Sequence, residues 1–495
     1  MVGTPVLFIA IPLLAAFIIP LIGMVWKESV RIIPGLVLAY LLVLAINLLN
    51  YVTVNGPIVE VIAGWAPPIG INLVFNAFSG LLVTIMVFMG LLVWLYSYRF
   101  KSNVEYEAAR KYFLLLMMLV TGSVGIVLTG DIFNMFVFIE ITGISGYALT
   151  AFYTGRDSAE ASFKYLMMGS IASVMLLLAI MIIYSQLGTL NMADIASKMH
   201  LMDPKLKAVS FILFVIALGI EAEIFPLNGW APDAYAEAPG PVGAAFAGIV
   251  VKAAVYALIR YTYTIFDLSG AFNLLIIVGL ITLVVAEVAA IRQEKLKRML
   301  AYSSIGQMGL VLVSFGIGTK EGVFAALFIM LNHAIIKPLL FFSGSYLVYH
   351  SKKKTISDVD GIGKLAPLTS ILFTLGAFAI VGLPPFAGFW GKLSFLMAAA
   401  DSNMLLIIGL ILVVSVVELV YYMRVVNRIF FFKRASHLLA RRPTFNAYIV
   451  MIVLGLMILV IGFYPDSVST YLHNAANSLF DKSRYIHSVL TTTIQ

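Results

Sequence analysis

Apolar runs of about 20 residues recur along the whole of this 495-residue chain, and no other feature constrains its fold as strongly. A helix of that length crosses the hydrocarbon core of a bilayer. In lipid every backbone N–H and C=O must find a partner inside the protein, so spanning segments are helices or closed barrels. The short alternating segments of a barrel are missing here. Only 11% of residues are charged and 62% are hydrophobic, with a mean hydropathy of +1.03. A soluble domain carries roughly 25% charged residues. The fold class is therefore an all-α polytopic membrane protein.

Fourteen spans are expected, over 5–25, 33–54, 72–98, 111–129, 132–153, 163–187, 207–228, 241–264, 271–291, 299–317, 320–349, 366–400, 403–432 and 446–465. The first has neither a basic flank nor a small-residue cleavage site, so it reads as a span and not as a signal peptide. The seventh contains Pro226 and runs into NGWAPDAYAEAPGPV; the twelfth contains GLPPFAGFWGK at 382–392. Proline removes a helical hydrogen bond and clashes with the preceding turn. Each break is either a simple kink or a discontinuous helix lining an ion path.

Most of the 32 Lys and Arg residues lie in or beside the connections that follow odd-numbered spans. By the positive-inside rule those connections are cytoplasmic, which places both termini outside a cell membrane. The net charge of +8 thus reflects topology. Nucleic-acid binding would need a concentrated basic face, and none is visible. The chain has no cysteine, which excludes disulfides and any Fe–S cluster ligated by this chain. No ATP-binding or dinucleotide-binding glycine motif and no Cys/His cluster occurs. No cofactor is expected in the chain, and electrons, if involved, belong to another subunit.

Charges inside the apolar runs carry the functional signal. Lys252, Lys337 and Lys392 sit at membrane depth, with Glu140, Glu221, Glu223 and Glu418. His333 precedes Lys337 by four residues, so the two share a helical face. Asp131 and Glu287 lie near span ends and read as boundary residues. A charge at the bilayer centre costs at least about 2.5–3.5 kcal/mol, so such groups face the protein interior and mark ion pathways. A single Lys–Glu pair could merely hold helices together. Titratable groups on six spans point instead to a relay, because desolvation disfavours the charged forms of lysine and carboxylate alike and brings both towards proton exchange near neutral pH. Ser303, Ser304 and Gln307 on the tenth span could order water between them.

The stretches FPLNGWAPDAYAEAPGPVGAAFAGIVVKAAVYALIR (225–260), LNHAIIKPLLFFSGS (331–345) and GLPPFAGFWGK (382–392) resemble the antiporter-like membrane subunits. These comprise the D subunit of Mrp-type Na⁺/H⁺ antiporters, the large membrane-arm subunits of respiratory complex I and their relatives in membrane-bound hydrogenases. GDIFNMFVFIEI (130–141) is most similar to the Mrp D subunit. The resemblance implies fourteen helices, with spans 4–8 and 9–13 as two inverted five-helix repeats. The organisation is then 1–110, three N-terminal helices; 111–265, a first half-channel; 266–433, a second; and 434–495, a final helix and tail. It implies ion-translocating roles for Glu140, Lys252, His333, Lys337 and Lys392; the charge pattern adds Glu221 and Glu418 to the path, with Asp131 and Glu223 as accessories. It further implies hydrophobic partner subunits, a peripheral redox arm with Fe–S clusters, and transport of H⁺ or Na⁺. The expected assembly is a redox-driven hydrogenase or sulfur-reducing complex, then an Mrp antiporter, then complex I. A stand-alone transporter of an organic solute is the reading from another class.

One position departs from the family pattern. The family has lysine five residues before the proline of the broken seventh helix, paired with the glutamate of the fifth. Here that position is Glu221. Two carboxylates close together cannot both ionise cheaply. The expectation is that Glu140 and Glu221 share a proton, hold a Na⁺ or are neutralised by Lys252.

Overall fold

The computed structural model describes residues 4–98, 106–266, 268, 270–349, 354–433 and 443–492. Parts of the basic connections after the third, eleventh and thirteenth expected spans (99–105, 350–353 and 434–442) lie outside the described residues. The chain opens with α1 (Leu7–Val25) and α2 (Ser29–Asn55), then an antiparallel hairpin of β1 (Ile58–Val61) and β2 (Asn72–Phe75). Next come α3 (Ala77–Ser97), α4 (Tyr106–Leu128), α5 (Ile132–Thr150), α6 (Arg156–Leu187) and the short α7 (Met192–Lys198). The seventh expected span is α8 (Pro204–Glu221) followed, after a break, by α9 (Ala231–Glu237). The eighth is a continuous helix over Gly240–Ile265. It is made of α10 (Gly240–Ala245), a π-helical turn at Phe246–Val250, α11 (Val251–Arg260) and a second π turn at Tyr261–Ile265. Then follow α12 (Ala271–Ile291), α13 (Leu296–Gly316) and α14 (Lys320–Leu347). The twelfth expected span is the pair α15 (Pro367–Val381) and α16 (Ala387–Asp401); α17 (Leu405–Phe431) and α18 (Phe445–Phe463) complete the bundle. Among the described residues, 12 helices are long and apolar enough to cross a membrane uninterrupted, and the other two expected spans are the interrupted pairs.

Burial separates a central layer from a lipid-facing one. The helix over Gly240–Ile265 is buried along its whole apolar stretch, and α13 and α14 nearly so, whereas less than a third of that of α17 is. Side chains such as Phe17, Leu178 and Val416 point outward and remain exposed, as expected where the surrounding solvent is acyl chain. The buried polar groups therefore concentrate on the three central helices and the faces turned towards them.

The two ends of the bundle are held by different contacts. At one end Asp233 pairs with Lys164 and Arg298 (2.8 Å each), and Glu237 pairs with Lys295 (2.9 Å), joining the connections after spans 5, 7 and 9. At the other end lie the β-hairpin, α7 and two amphipathic helices, α19 (Asp466–Phe480) and α20 (Lys482–Leu490). There Arg260 donates to the Thr129 carbonyl (3.1 Å) and the Tyr485 hydroxyl (2.7 Å).

The structure corrects two sequence expectations. The third span begins at Ala77, because Asn72–Phe75 pairs as a strand with Ile58–Val61 and Asn76 caps the helix that follows. Glu287 is no boundary residue; it is buried in the central layer.

Candidate functional site

Both broken helices are built by specific local chemistry. α8 stops at Glu221, where the Glu223 N–H donates to the Ile220 carbonyl (3.2 Å) and the Ile224 N–H to that of Gly219 (2.9 Å). This pattern is a Schellman helix end. The Trp230 indole also donates to the Ile220 carbonyl (3.0 Å), tying the following segment to the end of α8. The second break closes on glycine. Gly382 has φ +87°, and a Cβ on Gly388 would sit 1.8 Å from the Ala379 carbonyl oxygen, so only glycine lets α16 return against the end of α15. Asn332 of α14 pins this turn by donating to the Ala387 carbonyl (2.9 Å). Trp390 serves differently from Trp230: its indole bonds the Gly462 carbonyl of α18 (2.7 Å).

A chain of polar contacts runs through the buried layer. Just after the first π turn, Lys252 bonds the Ala247 carbonyl and Nδ1 of His333. The other ring nitrogen of His333, Nε2, lies 3.0 Å from the Ser304 hydroxyl. One turn along α14, Lys337 Nζ donates to Ser303 (2.6 Å), the Tyr422 hydroxyl (3.1 Å) and the Leu300 carbonyl (3.3 Å). Gln307 donates to Glu418 Oε1 (2.9 Å), and Lys392 donates to Glu418 Oε2 (2.7 Å) and the Val381 carbonyl (2.8 Å). Between these groups lies a cavity of about 10 Å³ lined by Gln307, Asn332, His333 and Lys392. That is near the lower limit for one water. Lys252, His333 and Lys337 are fully buried, so charge on any of them must be compensated by groups of the protein.

Tyr421 and Glu287 flank this chain, although neither was expected to take part in it. Tyr421 donates to Glu287 Oε2 (2.8 Å), and Glu287 Oε1 fits against α13 only because residue 306 is glycine; a Cβ there would meet it at 2.3 Å. Tyr421 and Tyr422 follow Glu418 by three and four residues, and that shared face was the available signal.

The first half is arranged differently. Glu140, half-buried, accepts from Ser173 of α6. Glu221 is buried and lies within electrostatic reach of Glu140 and Glu223. A stack of aromatic rings occupies the same region: Tyr165 lies on Trp230 (centroids 3.7 Å apart), and Tyr147 meets Tyr165 edge-on. Asp131 caps α5, accepting from the Asn134 N–H (2.7 Å), which is a boundary role. Among the described residues no group of three or more His, Asp or Glu side chains is placed to hold a metal ion.

A bundle of long apolar helices, two of the spans interrupted, around a buried series of Lys, His and Glu side chains defines a polytopic membrane protein with a polar interior. The family model described as NADH:quinone oxidoreductase/Mrp antiporter, transmembrane, matches residues 129–418, and the chain belongs to that family as an antiporter-like subunit. It is 33% identical over 432 residues to the N subunit of the NADH-quinone oxidoreductase of Desulforudis audaxviator, covering 86% of this chain and 85% of the relative. It is 28% identical over 465 residues to the D subunit of the Na⁺/H⁺ antiporter of Alkalihalophilus pseudofirmus, covering 93% and 94%. Among solved structures, a chain of the membrane-bound sulfane sulfur reductase, an archaeal respiratory membrane complex, superposes with a TM-score of 0.92 at 39% identity, covering 98% of this chain and 99% of that one.

Proposed function

We propose that this chain translocates protons along the path Lys252–His333–Ser304 and Lys337–Ser303–Tyr422 to Gln307–Glu418–Lys392, as one membrane subunit of a redox-driven complex. The observation that carries the reading is the succession of three buried hydrogen-bonded groups, Lys252–His333–Ser304, Lys337 with Ser303 and Tyr422, and Gln307–Glu418–Lys392, across α11, α13, α14, α16 and α17. Each end is a lysine, a group able to take up and release a proton when desolvated. The two half-channels are residues 111–265 and 266–433. The more basic end of the bundle faces the cytoplasm, and both termini face outward. Partners are other hydrophobic membrane subunits and a peripheral redox arm bearing the Fe–S clusters that this cysteine-free chain cannot ligate. The 39% identity to a chain of a respiratory sulfur reductase supports a redox-driven assembly of this kind. The similarity to the D subunit of an antiporter over 93% of the chain favours the second reading, exchange of H⁺ for Na⁺ in an Mrp-type complex. Co-purification separates them, since only the first predicts Fe–S subunits migrating with this chain.

An organic-solute transporter fits less well. The cavity at the path is about 10 Å³, against roughly 300 Å³ or more for pockets that take small organic ligands. The test is Lys337→Ala and Lys392→Ala in the assembled complex, with acidification of inverted membrane vesicles followed by a pH-sensitive dye. Each variant is expected to assemble and to lose translocation. Wild-type rates in either would remove the path.

A further inference from the structure

Glu223 combines two disfavoured features in one residue. It occupies the position just past the end of α8 with φ +62°, the left-handed region in which helices characteristically place glycine. Its carboxylate is also completely buried, and among the described residues neither oxygen has a hydrogen-bond partner. A helix stop alone would be better served by glycine, which takes this conformation freely and buries no charge. A residue that keeps both features is a signal of function, because strain of this kind persists where a mechanism uses it.

The surroundings show what the carboxylate can do. Within electrostatic reach of it are Tyr235 of α9, Tyr165 of α6, Lys252 of α11 and Lys337 of α14, with Glu221 two residues earlier at the end of α8. The Tyr235 hydroxyl is close to both Glu223 and Ser304 without reaching hydrogen-bond geometry to either. Ser304 already contacts His333 Nε2, and His333 Nδ1 contacts Lys252. We propose that Glu223 is the proton-carrying group that joins the first-half acids to the central histidine, handing its proton through Tyr235 and Ser304 to His333. Glu223 arrives as the neutral acid, and its O–H bond breaks as Tyr235 turns to accept. Tyr235 passes its own proton to Ser304 and Ser304 passes one to Nε2, while the ring releases a proton from Nδ1 to Lys252. The net result is one carboxylate at 223 and one ammonium at 252, which attract each other until Glu221 reprotonates the acid. The break in α8 thus aims the carboxylate inward.

This inference rests on the proposed proton path and is tested in the assembled complex in membrane vesicles. Glu223→Gly is expected to leave the melting temperature of the solubilised complex unchanged or higher while lowering proton translocation at least tenfold. Glu223→Gln should lose translocation equally, and Glu223→Asp should keep a measurable part of it. Tyr235→Phe should reproduce the loss. Wild-type translocation in the Gly or the Gln variant overturns the proposal. So does a Gly variant that melts earlier while Gln melts and translocates normally, since the side chain would then be structural. Lys392→Ala is the reference: if it loses translocation and Glu223→Gly does not, only the role of Glu223 fails, whereas normal translocation in Lys392→Ala removes the path itself.

Discussion

The Lys392–Glu418 pair allows structural and transport roles to be separated by a double-mutant cycle. Its atoms lie 2.7 Å apart, with the side chains 14% and 2% exposed, and Glu418 is also bonded by Gln307. Removing one member of a buried pair costs about 3–5 kcal/mol, because the other charge stays behind in a low-dielectric site, whereas removing both with shape-matched neutral groups is often close to neutral. Lys392→Met and Glu418→Gln should therefore each lower the melting temperature of the purified complex. The double variant should recover most of that loss, with a coupling of about 2–3 kcal/mol between the positions. None of the three should translocate protons, since all remove a titrating group from the path. Additive losses of stability would show that the pair is not coupled, and a stable double variant that pumps would refute its place in the relay.

The broken twelfth helix gives a matched control. Gly388→Ala puts a Cβ 1.8 Å from a carbonyl oxygen and should reduce the yield of assembled complex, while Gly409→Ala, with nothing within 4 Å, should leave yield and turnover unchanged. Tyr422→Phe removes the hydroxyl shared by Lys337 and Ser303. It should cost about 1 kcal/mol of stability and slow translocation several-fold in the vesicle assay; an unchanged rate would mean that the proton bypasses this hydroxyl.

How much could be read in the sequence follows from where the energetic penalties lie. Lys252, Lys337, Lys392 and Glu418 stand out in one dimension because a charge inside an apolar run is costly wherever it occurs. The breaks at Pro226 and GLPPFAGFWGK stand out because proline cannot continue a helix. The partners do not. That Lys252 meets His333, 81 positions away, is a property of how α11 crosses α14, and no local pattern encodes it. Glu287 was misread because its nearness to a span end suggested contact with water, while the packing of α12 on Gly306 takes it inside. The hairpin strand Asn72–Phe75 was absorbed into the following helix because its apolar run is continuous with it. Glu223 carried no signal of strain, since a positive φ is visible only once the end of α8 is built.

The central claim is that protons leave and return to buried lysines in turn, and Lys337→Arg tests it most directly. Arginine keeps the positive charge opposite Ser303 and Tyr422 but cannot release its proton, because its pKa is above about 12. In proteoliposomes of the complete complex, this variant is expected to assemble, keep the driving reaction and show no proton translocation. Translocation at the wild-type rate would mean that the lysine supplies only charge, and the relay account would be contradicted.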